Sequence, residues 1–179
     1  TQKKEYWNGN IPWVSPKDMK SSKISKTKDY VTHEGVLNSS TNMIEPNHIL
    51  MVVRSGILKH TLPLAINTIP LCVNQDIKAI IPQSILDKDY LYYSLKGMSS
   101  LILLTCSKMG ATVDSIDIDS FLNFIIVVPE RKEVQQQVVL EIERAINKID
   151  DSLTKEEKRV ILLNEYRQSL ISEVVTGKV

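Results

Sequence analysis

The pattern of apolar and polar residues along this chain changes at Pro129. Before Pro129, short apolar runs rich in Val, Ile and Leu alternate with turn signals that contain Gly, Pro or Asn, a pattern typical of strands joined by short loops. The predicted strands are 49–53, 64–69, 77–81 and 125–128. Residues 1–129 are therefore predicted to form a globular α+β domain with mixed strands and short helices.

One helix stands out within this domain. Asp87 is a favourable N-cap, because its side-chain oxygen can accept hydrogen bonds from the N–H groups of the first turn. Apolar residues then follow at the spacing that places them on one helix face, and they are Leu91, Leu95, Met98 and Ile102. A second, short helix is predicted to begin near Asp117 or Asp119.

After Pro129 the chain has no further proline, and no glycine before Gly177. With Val139 at heptad position a, nine of the twelve a and d positions from 139 to 177 are apolar, a strong signal for a coiled-coil seam. Residues 130–179 are thus predicted to form a long coiled-coil-type helix. The predicted helix-pairing residues are Val139, Ile142, Ile146, Ile149, Leu153, Glu156, Val160, Leu163, Arg167, Leu170 and Val174.

A lone helix would leave this seam in water, so a partner helix is expected. If a single unit of this kind is present, two copies are expected to pair as an antiparallel, two-fold homodimer. Centring the pair between Ile161 and Leu162 brings Glu156 of one helix opposite Arg167 of the other. The alternative is a helix that folds back on its own domain, for which a break at Asp150-Asp151 is expected.

Composition and charge narrow the function classes. The net charge of the 179 residues is +1, but residues 1–28 carry seven lysines against Glu5 and Asp18. Such a local basic patch suits phosphate contacts even where the whole chain is not basic. There is neither a signal peptide nor an apolar run long enough to cross a membrane. The two cysteines are expected to be buried reduced thiols in a cytoplasmic protein. Because position 1 is Thr, a fragment or a processed product is expected.

The sequence lacks the usual catalytic motifs. It has no glycine-rich phosphate loop and no dinucleotide fingerprint, and its three histidines lack metal-ligand spacing. Asp-x-Lys occurs at 18–20 and 76–78, but no upstream carboxylate completes a nuclease site, and we attribute both to chance. The Asn/Asp-Pro-Pro-aromatic motif of amino-methyltransferases is also missing. A non-enzymatic chain with no cofactor and no metal is therefore expected.

Three polar loops are the candidate nucleic-acid contacts. Lysines supply phosphate contacts, whereas Arg, Ser and Thr side chains can also reach base edges. For any one lysine, plain solvation is the competing explanation. The candidate DNA-binding residues are Lys17, Lys20, Ser21, Ser22, Lys23 and Lys26 in the first loop, Arg54, Ser55, Lys59 and His60 in the second, and Lys108 and Thr112 in the third.

Two tryptophans lie on either side of an Asn-Gly-Asn sequence at 8–10. Trp7 and Trp13 are expected to hold this turn in the domain core and so to present the following lysine loop in a fixed direction. A preset loop loses less conformational entropy when DNA binds. In the alternative interpretation, one tryptophan ring stacks on an extruded base.

Several stretches together carry a family resemblance. In chain order they are "YWNGNIPWVSPKDMK", "VVRSG", "CVNQDIKAIIP", "GATVDSI" and "VVPERKEVQQQVVLEIERAI". The chain resembles the specificity (S) subunits of type I restriction–modification systems over essentially its whole length. The proline-rich, Glu-Gln-containing start of the family's helix is only partly kept at 128–135.

The resemblance implies an architecture and a set of partners. A target recognition domain, here 1–129, would be followed by a helical spacer and dimerisation region, here 130–179. Two such units, in one chain or in two, would bind a split target in double-stranded DNA. The implied protein partners are methyltransferase (M) subunits, which bind S-adenosylmethionine, and restriction (R) subunits, which use ATP; neither cofactor is expected on this chain.

Two other functions stay open at the level of sequence. A coiled-coil adaptor would use the globular domain to bind protein, and its affinity for DNA would be negligible. The chain could also be a methyltransferase or nuclease fragment, such as the target recognition fragment of a DNA methyltransferase, and binding of S-adenosylmethionine by the isolated chain would favour this function.

Overall fold

A computed structural model describes residues 3–108 and 113–177 of the chain. The chain divides into two compact units, Thr1–Gln136 and Gln137–Val179. Within the described residues the strands are β1 (Trp7–Val14), β2 (Lys23–Ile24), β3 (Asp29–Val31), β4 (Ile49–Val52), β5 (Leu64–Asn67), β6 (Cys72–Val73), β7 (Ile77–Ile80), β8 (Ser107–Lys108) and β9 (Ser115–Ile116). The helices are α1 (His33–Leu37), α2 (Lys88–Gly97), α3 (Ser99–Cys106), α4 (Ile118–Leu122) and α5 (Lys132–Val175), and 3-10 turns cover Lys4–Tyr6 and Gly56–Lys59.

The main core lies on a sheet with the strand order β2-β5-β4-β7. Every residue of β4 and β5 is buried, which explains why both appear in the sequence as continuous apolar runs rather than as alternating patterns. β4 pairs antiparallel with both β5 and β7. The strands predicted at 49–53, 64–69 and 77–81 are thereby confirmed, each slightly shortened at its end.

A smaller sheet contains the tryptophans and has the order β3-β1-β6. Both Trp7 and Ile11 lie opposite Val31, so the intervening Asn-Gly-Asn residues form a bulge inside β1. Asn8 has a left-handed φ of 60°, a conformation that Asn tolerates better than most residues. A Cβ on Gly9 would lie 2.3 Å from the carbonyl oxygen of Val31, and only glycine therefore fits there.

The two tryptophans do not reach the main core. Their rings meet edge to face with centroids 4.9 Å apart, and they are half-buried against a second, smaller cluster of Ile11, Val31 and Cys72. The expectation that they hold the turn in the domain core is corrected in this respect. The rings instead flank the bulge, which takes up the residues between them and leaves Trp7 opposite Val31 and Trp13 opposite Asp29, close enough for the rings to meet beside the smaller cluster.

Most helix predictions are confirmed. Asp87 accepts hydrogen bonds from the backbone N–H groups of Asp89 and Tyr90 as the N-cap of α2. The predicted single helix is divided into α2 and α3 at Met98, directly after Gly97, a residue that disfavours helix interiors. The short helix α4 begins directly after Asp117, as expected.

The strand prediction at 125–128 is wrong. The structure assigns no strand there, and the side chains of Ile125 and Val127 are 86% and 87% exposed. Ile126 packs against the main core from the same segment. The apolar run reflects this covering role and not a place in a sheet, because in the described part of the chain no strand pairs with it.

The helix α5 runs without interruption over 44 residues, about 66 Å at the normal rise per residue. The break expected at Asp150-Asp151 for a folded-back helix is wrong, since both residues are helical. The helix begins at Lys132, and its first turn belongs to the first unit. Residues 1–129 and 130–179 remain our predicted functional division of the chain.

Candidate nucleic-acid interface

The strand register gathers polar loops at one end of the main sheet. Met51 of β4 is paired with Leu64 of β5, and Val52 with Ile77 of β7. The segment 53–63 and the residues that precede β7 consequently lie at the same sheet end. β2 runs parallel to β5, with Lys23 opposite Ile66, so the loop preceding β2 also approaches this end. Two of the predicted contact loops are thus brought together by topology.

The first loop is closed by one carboxylate. Asp18 Oδ2 accepts hydrogen bonds from Ser15 N (2.9 Å) and Ser15 Oγ (3.0 Å), and Asp18 Oδ1 accepts one from Lys28 N (3.0 Å). The next residue, Met19, is buried in the main core. This arrangement leaves six predicted contacts on the surface, namely Lys17, Lys20, Ser21, Ser22, Lys23 and Lys26.

The structural role of Asp18 was not predicted from the sequence. Its Asp-x-Lys match with Lys20 drew attention to catalysis, whereas its role is to close the loop. The signal that could have revealed it is the Ser-Pro-x-Asp turn at 15–18, in which a short acidic side chain bonds to the backbone at the start of the turn.

The second loop follows β4. Arg54 Nε donates to Asp76 Oδ1 at 2.7 Å, while Asn74 Nδ2 donates to Asp76 Oδ2 at 3.2 Å. Ser55 accepts a hydrogen bond from Ile57 N and so starts the 3-10 turn. Lys59 and His60, at the end of that turn, are exposed. All four predicted residues of this loop lie close together, and only Ser55 is half-buried.

The third loop offers fewer candidate DNA contacts than the sequence predicts. Lys108 Nζ forms an ion pair with Asp117 Oδ1 at 3.0 Å. The hydrogen bond from Lys108, with help from Ser120, lowers the pKa of the Asp117 carboxyl below its usual value. Lys108 is exposed but already paired with a carboxylate, which weakens its attraction for a phosphate. Thr112 lies outside the described residues.

The first two loops share a cleft of about 590 Å³ that also contains the tryptophan pair. Lys17 and Ser55 are the predicted contact residues that line it. A neighbouring cleft of about 520 Å³ shares Trp7, Trp13 and Asn74 with the first. Together the two clefts combine aromatic rings, cations and amide groups on one face of the domain.

Several residues of these clefts were not predicted. They are Lys3, Asn42, Asn74, Gln75, Asp76 and Lys78. The polar sequence Asn-Gln-Asp at 74–76, placed between two short apolar runs, was a usable signal for part of this set. Lys3 and Asn42 carry no comparable signal, because folding alone brings them next to residues distant in sequence.

Most of the predicted seam of α5 is exposed to solvent in the chain. Val139 is buried and Ile142 half-buried, whereas the exposed fraction of the apolar seam residues from Ile146 to Val174 is between 37% and 65%. Glu156 is exposed and lies 3.7 Å from Arg159 on its own helix. Tyr166 and Ile171, at the flanking g and e positions, widen the stripe, whereas the exposed Ile161 and Leu162 lie at b and c, away from the seam. The sequence prediction did not include these.

Both cysteines lie within the described ranges 3–108 and 113–177. Cys72 and Cys106 are both unpaired and buried, and burial raises the pKa of the Cys72 thiol. No group of three or more His, Cys, Asp or Glu side chains is arranged to hold a metal ion within those ranges. Among the helices of the described residues, none combines the length and apolar character that a membrane span requires.

Comparison with known proteins accounts for this combination of a small α+β domain and a long helix. The family model for the type I restriction modification DNA specificity domain matches residues 1–162. The chain is 40% identical over 174 residues to the type I restriction enzyme EcoR124I/EcoR124II specificity subunit of Escherichia coli, covering 94% of this chain and 43% of that protein. It is 28% identical over 173 residues to the MjaIX specificity subunit of Methanocaldococcus jannaschii, with 95% and 38% covered.

Solved structures show the same fold. A chain from a structural study of type I R-M system assembly superposes with a TM-score of 0.76 at 14% identity, covering 97% of this chain and 41% of that one. The HsdS subunit from Thermoanaerobacter tengcongensis gives a TM-score of 0.59 at 12% identity, with 84% and 34% covered.

The chain belongs to the type I restriction modification DNA specificity domain family. It spans less than half the length of the curated specificity subunits that it matches.

Proposed function

We propose that this chain is a DNA sequence-specificity module of a type I restriction–modification system, and that its first unit recognises one half of a bipartite target. The observation that carries this proposal is the meeting of two cationic loops and the tryptophan pair around one cleft, in a chain of this family. Exposed lysines there supply sequence-independent attraction to phosphates, while Arg54 and Ser55 supply directional groups for base edges.

In the proposed role, methylation and restriction of DNA are carried out by other subunits. Methyltransferase subunits would bind S-adenosylmethionine, and restriction subunits would use ATP, so that this chain is non-catalytic and binds neither cofactor. Both enzymatic subunits would be directed to DNA by this chain, in the cytoplasm, where the target DNA lies.

The helix α5 would act as both spacer and pairing surface. At about 66 Å it is longer than one turn of DNA, which is about 34–36 Å, and it could therefore separate two recognition units along a split target. If a single unit is present, two copies would pair antiparallel through the exposed seam. Glu156 and Arg167 would then lie opposite each other and select that register.

A gel-shift titration across salt concentrations tests the proposal. Duplex DNA should bind the full chain, and the logarithm of affinity should fall linearly with the logarithm of salt concentration, with a slope of about −0.9 for each phosphate contacted. The triple variant Lys17→Gln, Lys20→Gln, Lys23→Gln should bind more weakly and should show a shallower slope.

A matched control removes positive charge elsewhere. Lys155→Gln with Lys158→Gln lies on α5 away from the seam, and it should change affinity less than the loop variant does. If the full chain shows no salt-dependent binding to DNA, the coiled-coil adaptor function is favoured. Binding of labelled S-adenosylmethionine by the isolated chain would instead favour a methyltransferase fragment.

A further inference from the structure

The side chain of Arg54 is held in one orientation by a hydrogen-bonded brace. Asp76 accepts the Nε–H of Arg54 on Oδ1 and the amide N–H of Asn74 on Oδ2, at 2.7 and 3.2 Å. A second hydrogen bond between the same two residues supports the brace, since Asn74 Oδ1 accepts the backbone N–H of Asp76 at 3.1 Å. Asn74 itself is buried.

The backbone of this region is equally well connected. The N–H groups of Val53 and Arg54 both donate to the carbonyl oxygen of Asp76, at 2.8 and 3.3 Å. Asn74 N donates to Val14 O at 2.9 Å, which attaches the brace to the strand that leads into the lysine loop. Arg54 therefore projects from a fixed backbone and not from a free loop.

The two terminal nitrogens of the Arg54 guanidinium, Nη1 and Nη2, remain available to donate hydrogen bonds to a ligand. The side chain of Arg54 is 55% exposed, and its contact with Asp76 uses Nε. In the described part of the chain, Nη1 and Nη2 donate no hydrogen bond to any residue. Two parallel donor groups thus point away from the brace, which is the arrangement that matches two adjacent acceptors.

Arg54 differs from the nearby lysines because its positive charge has a carboxylate partner. The carboxylate of Asp76 compensates the positive charge of Arg54, which weakens long-range attraction to a phosphate but leaves the directional N–H donors intact. Lys17, Lys20 and Lys59 are exposed without such a partner among the described residues. The lysines suit phosphate contacts, and the braced arginine suits an uncharged pair of acceptors.

We propose that Arg54, oriented by Asp76 and Asn74, determines one position of the recognised sequence by donating both Nη groups to O6 and N7 of a guanine in the major groove. This inference rests on the proposed function, since it assigns a base to the recognition face. Guanine is the base that presents two adjacent acceptors there, and the bidentate arginine contact is the commonest specific one. Prior orientation lowers the ordering cost of the contact.

Selection of bound duplexes from a random library tests the inference. The full wild-type chain should enrich a motif that contains a G·C pair. Arg54→Gln should lose the preference for guanine at one position of that motif while the other positions stay enriched, and Arg54→Lys, which keeps the charge but not the two-pronged donor group, should weaken the preference at the same position. Asp76→Asn, which keeps the guanidinium but removes the charged acceptor, should weaken the preference at the same position. Arg54 is exposed, so its variants should fold, and thermal melting should confirm this.

Base analogues give the sharper measurement. Replacing the assigned guanine by 7-deazaguanine removes the N7 acceptor but keeps O6, and should lower wild-type affinity by part of the roughly 5- to 150-fold that loss of a whole bidentate contact costs. Inosine keeps O6 and N7 and should bind as guanine does. Arg54→Gln should not distinguish the three bases. Lys59→Gln is the matched control and should lower affinity equally for all three.

The outcomes separate the inference from the function on which it rests. If the wild type enriches a motif and Arg54→Gln enriches the same motif with unchanged weight at every position, Arg54 contacts phosphate or nothing, and the inference is overturned while the proposed function stands. If the wild type enriches no motif at all, both are overturned.

Discussion

The side-chain oxygen of Gln135 accepts a hydrogen bond of 2.7 Å from the backbone N–H of Asp87. Asp87 is the N-cap of α2, and Gln135 lies in the first turns of α5, so a single contact connects the starts of two helices. The amide nitrogen of Gln135 completes the arrangement by donating to the carbonyl oxygens of Ile85 and Pro129, at 3.1 and 2.8 Å. Gln135 is fully buried, and each polar atom of its side chain has a partner.

Replacing Gln135 should therefore destabilise the first unit. Gln135→Leu would remove the hydrogen-bond partner of the N–H of Asp87 and of two partly buried carbonyl oxygens, and we expect a loss of about 1–3 kcal/mol in the free energy of unfolding. Urea titration followed by circular dichroism would measure it. Gln137→Leu, at an exposed position on the same helix, is the control and should cost less than about 0.5 kcal/mol. Equal effects of the two substitutions would contradict the anchoring role.

The bulge in β1 predicts a glycine requirement. Gly9→Ala would place a Cβ within 2.6 Å of three backbone atoms of Val31 and Thr32, none of which can rotate away. We expect it to lower the free energy of unfolding by about 2 kcal/mol or more, a loss typical of overpacking. Gly97→Ala is the matched control, because nothing lies within 4 Å of its added methyl group. A Gly9→Ala protein as stable as the control would show that the bulge adopts another conformation.

The ion pair between Lys108 and Asp117 predicts a pH dependence. Since Lys108 lowers the pKa of Asp117 in the folded chain, the pair stabilises the fold above the unfolded-state pKa of about 3.9, and this stabilisation is lost as the pH falls through the folded-state pKa. Lys108→Gln should accordingly reduce the urea midpoint at pH 7 and have little effect near pH 2. In an Asp117→Asn background the same substitution should have little effect at either pH. A Lys108→Gln effect that is the same at pH 7 and pH 2 would exclude this pair as its cause.

The seam of α5 predicts a charge-swap result. In the proposed antiparallel pair, Glu156→Arg would bring two positive charges together and should weaken self-association several-fold, while Arg167→Glu in the same chain should restore it. Sedimentation velocity over a range of concentrations would measure both. Glu165→Arg changes charge on the opposite face of the helix and should have a smaller effect. If the double variant stays as weak as Glu156→Arg, the register is wrong.

Local sequence determined much of this protein. The continuous apolar runs of β4 and β5, the Asp87 cap and the heptad seam are all readable without a structure, because burial on both faces, capping and helical periodicity are each set by residues close in sequence. The family resemblance, carried by the same local stretches, is confirmed by the family model.

Tertiary structure decided the rest. The sequence does not show that Asp76 orients Arg54, because this contact depends on strand pairing between segments distant along the chain. The segment 125–128 has the composition of a strand, yet it covers the core from outside, since no neighbouring strand is available to pair with it in the described part. Which cations share a cleft, and which are already paired with a carboxylate, follows from sheet register, a long-range property that local patterns do not encode.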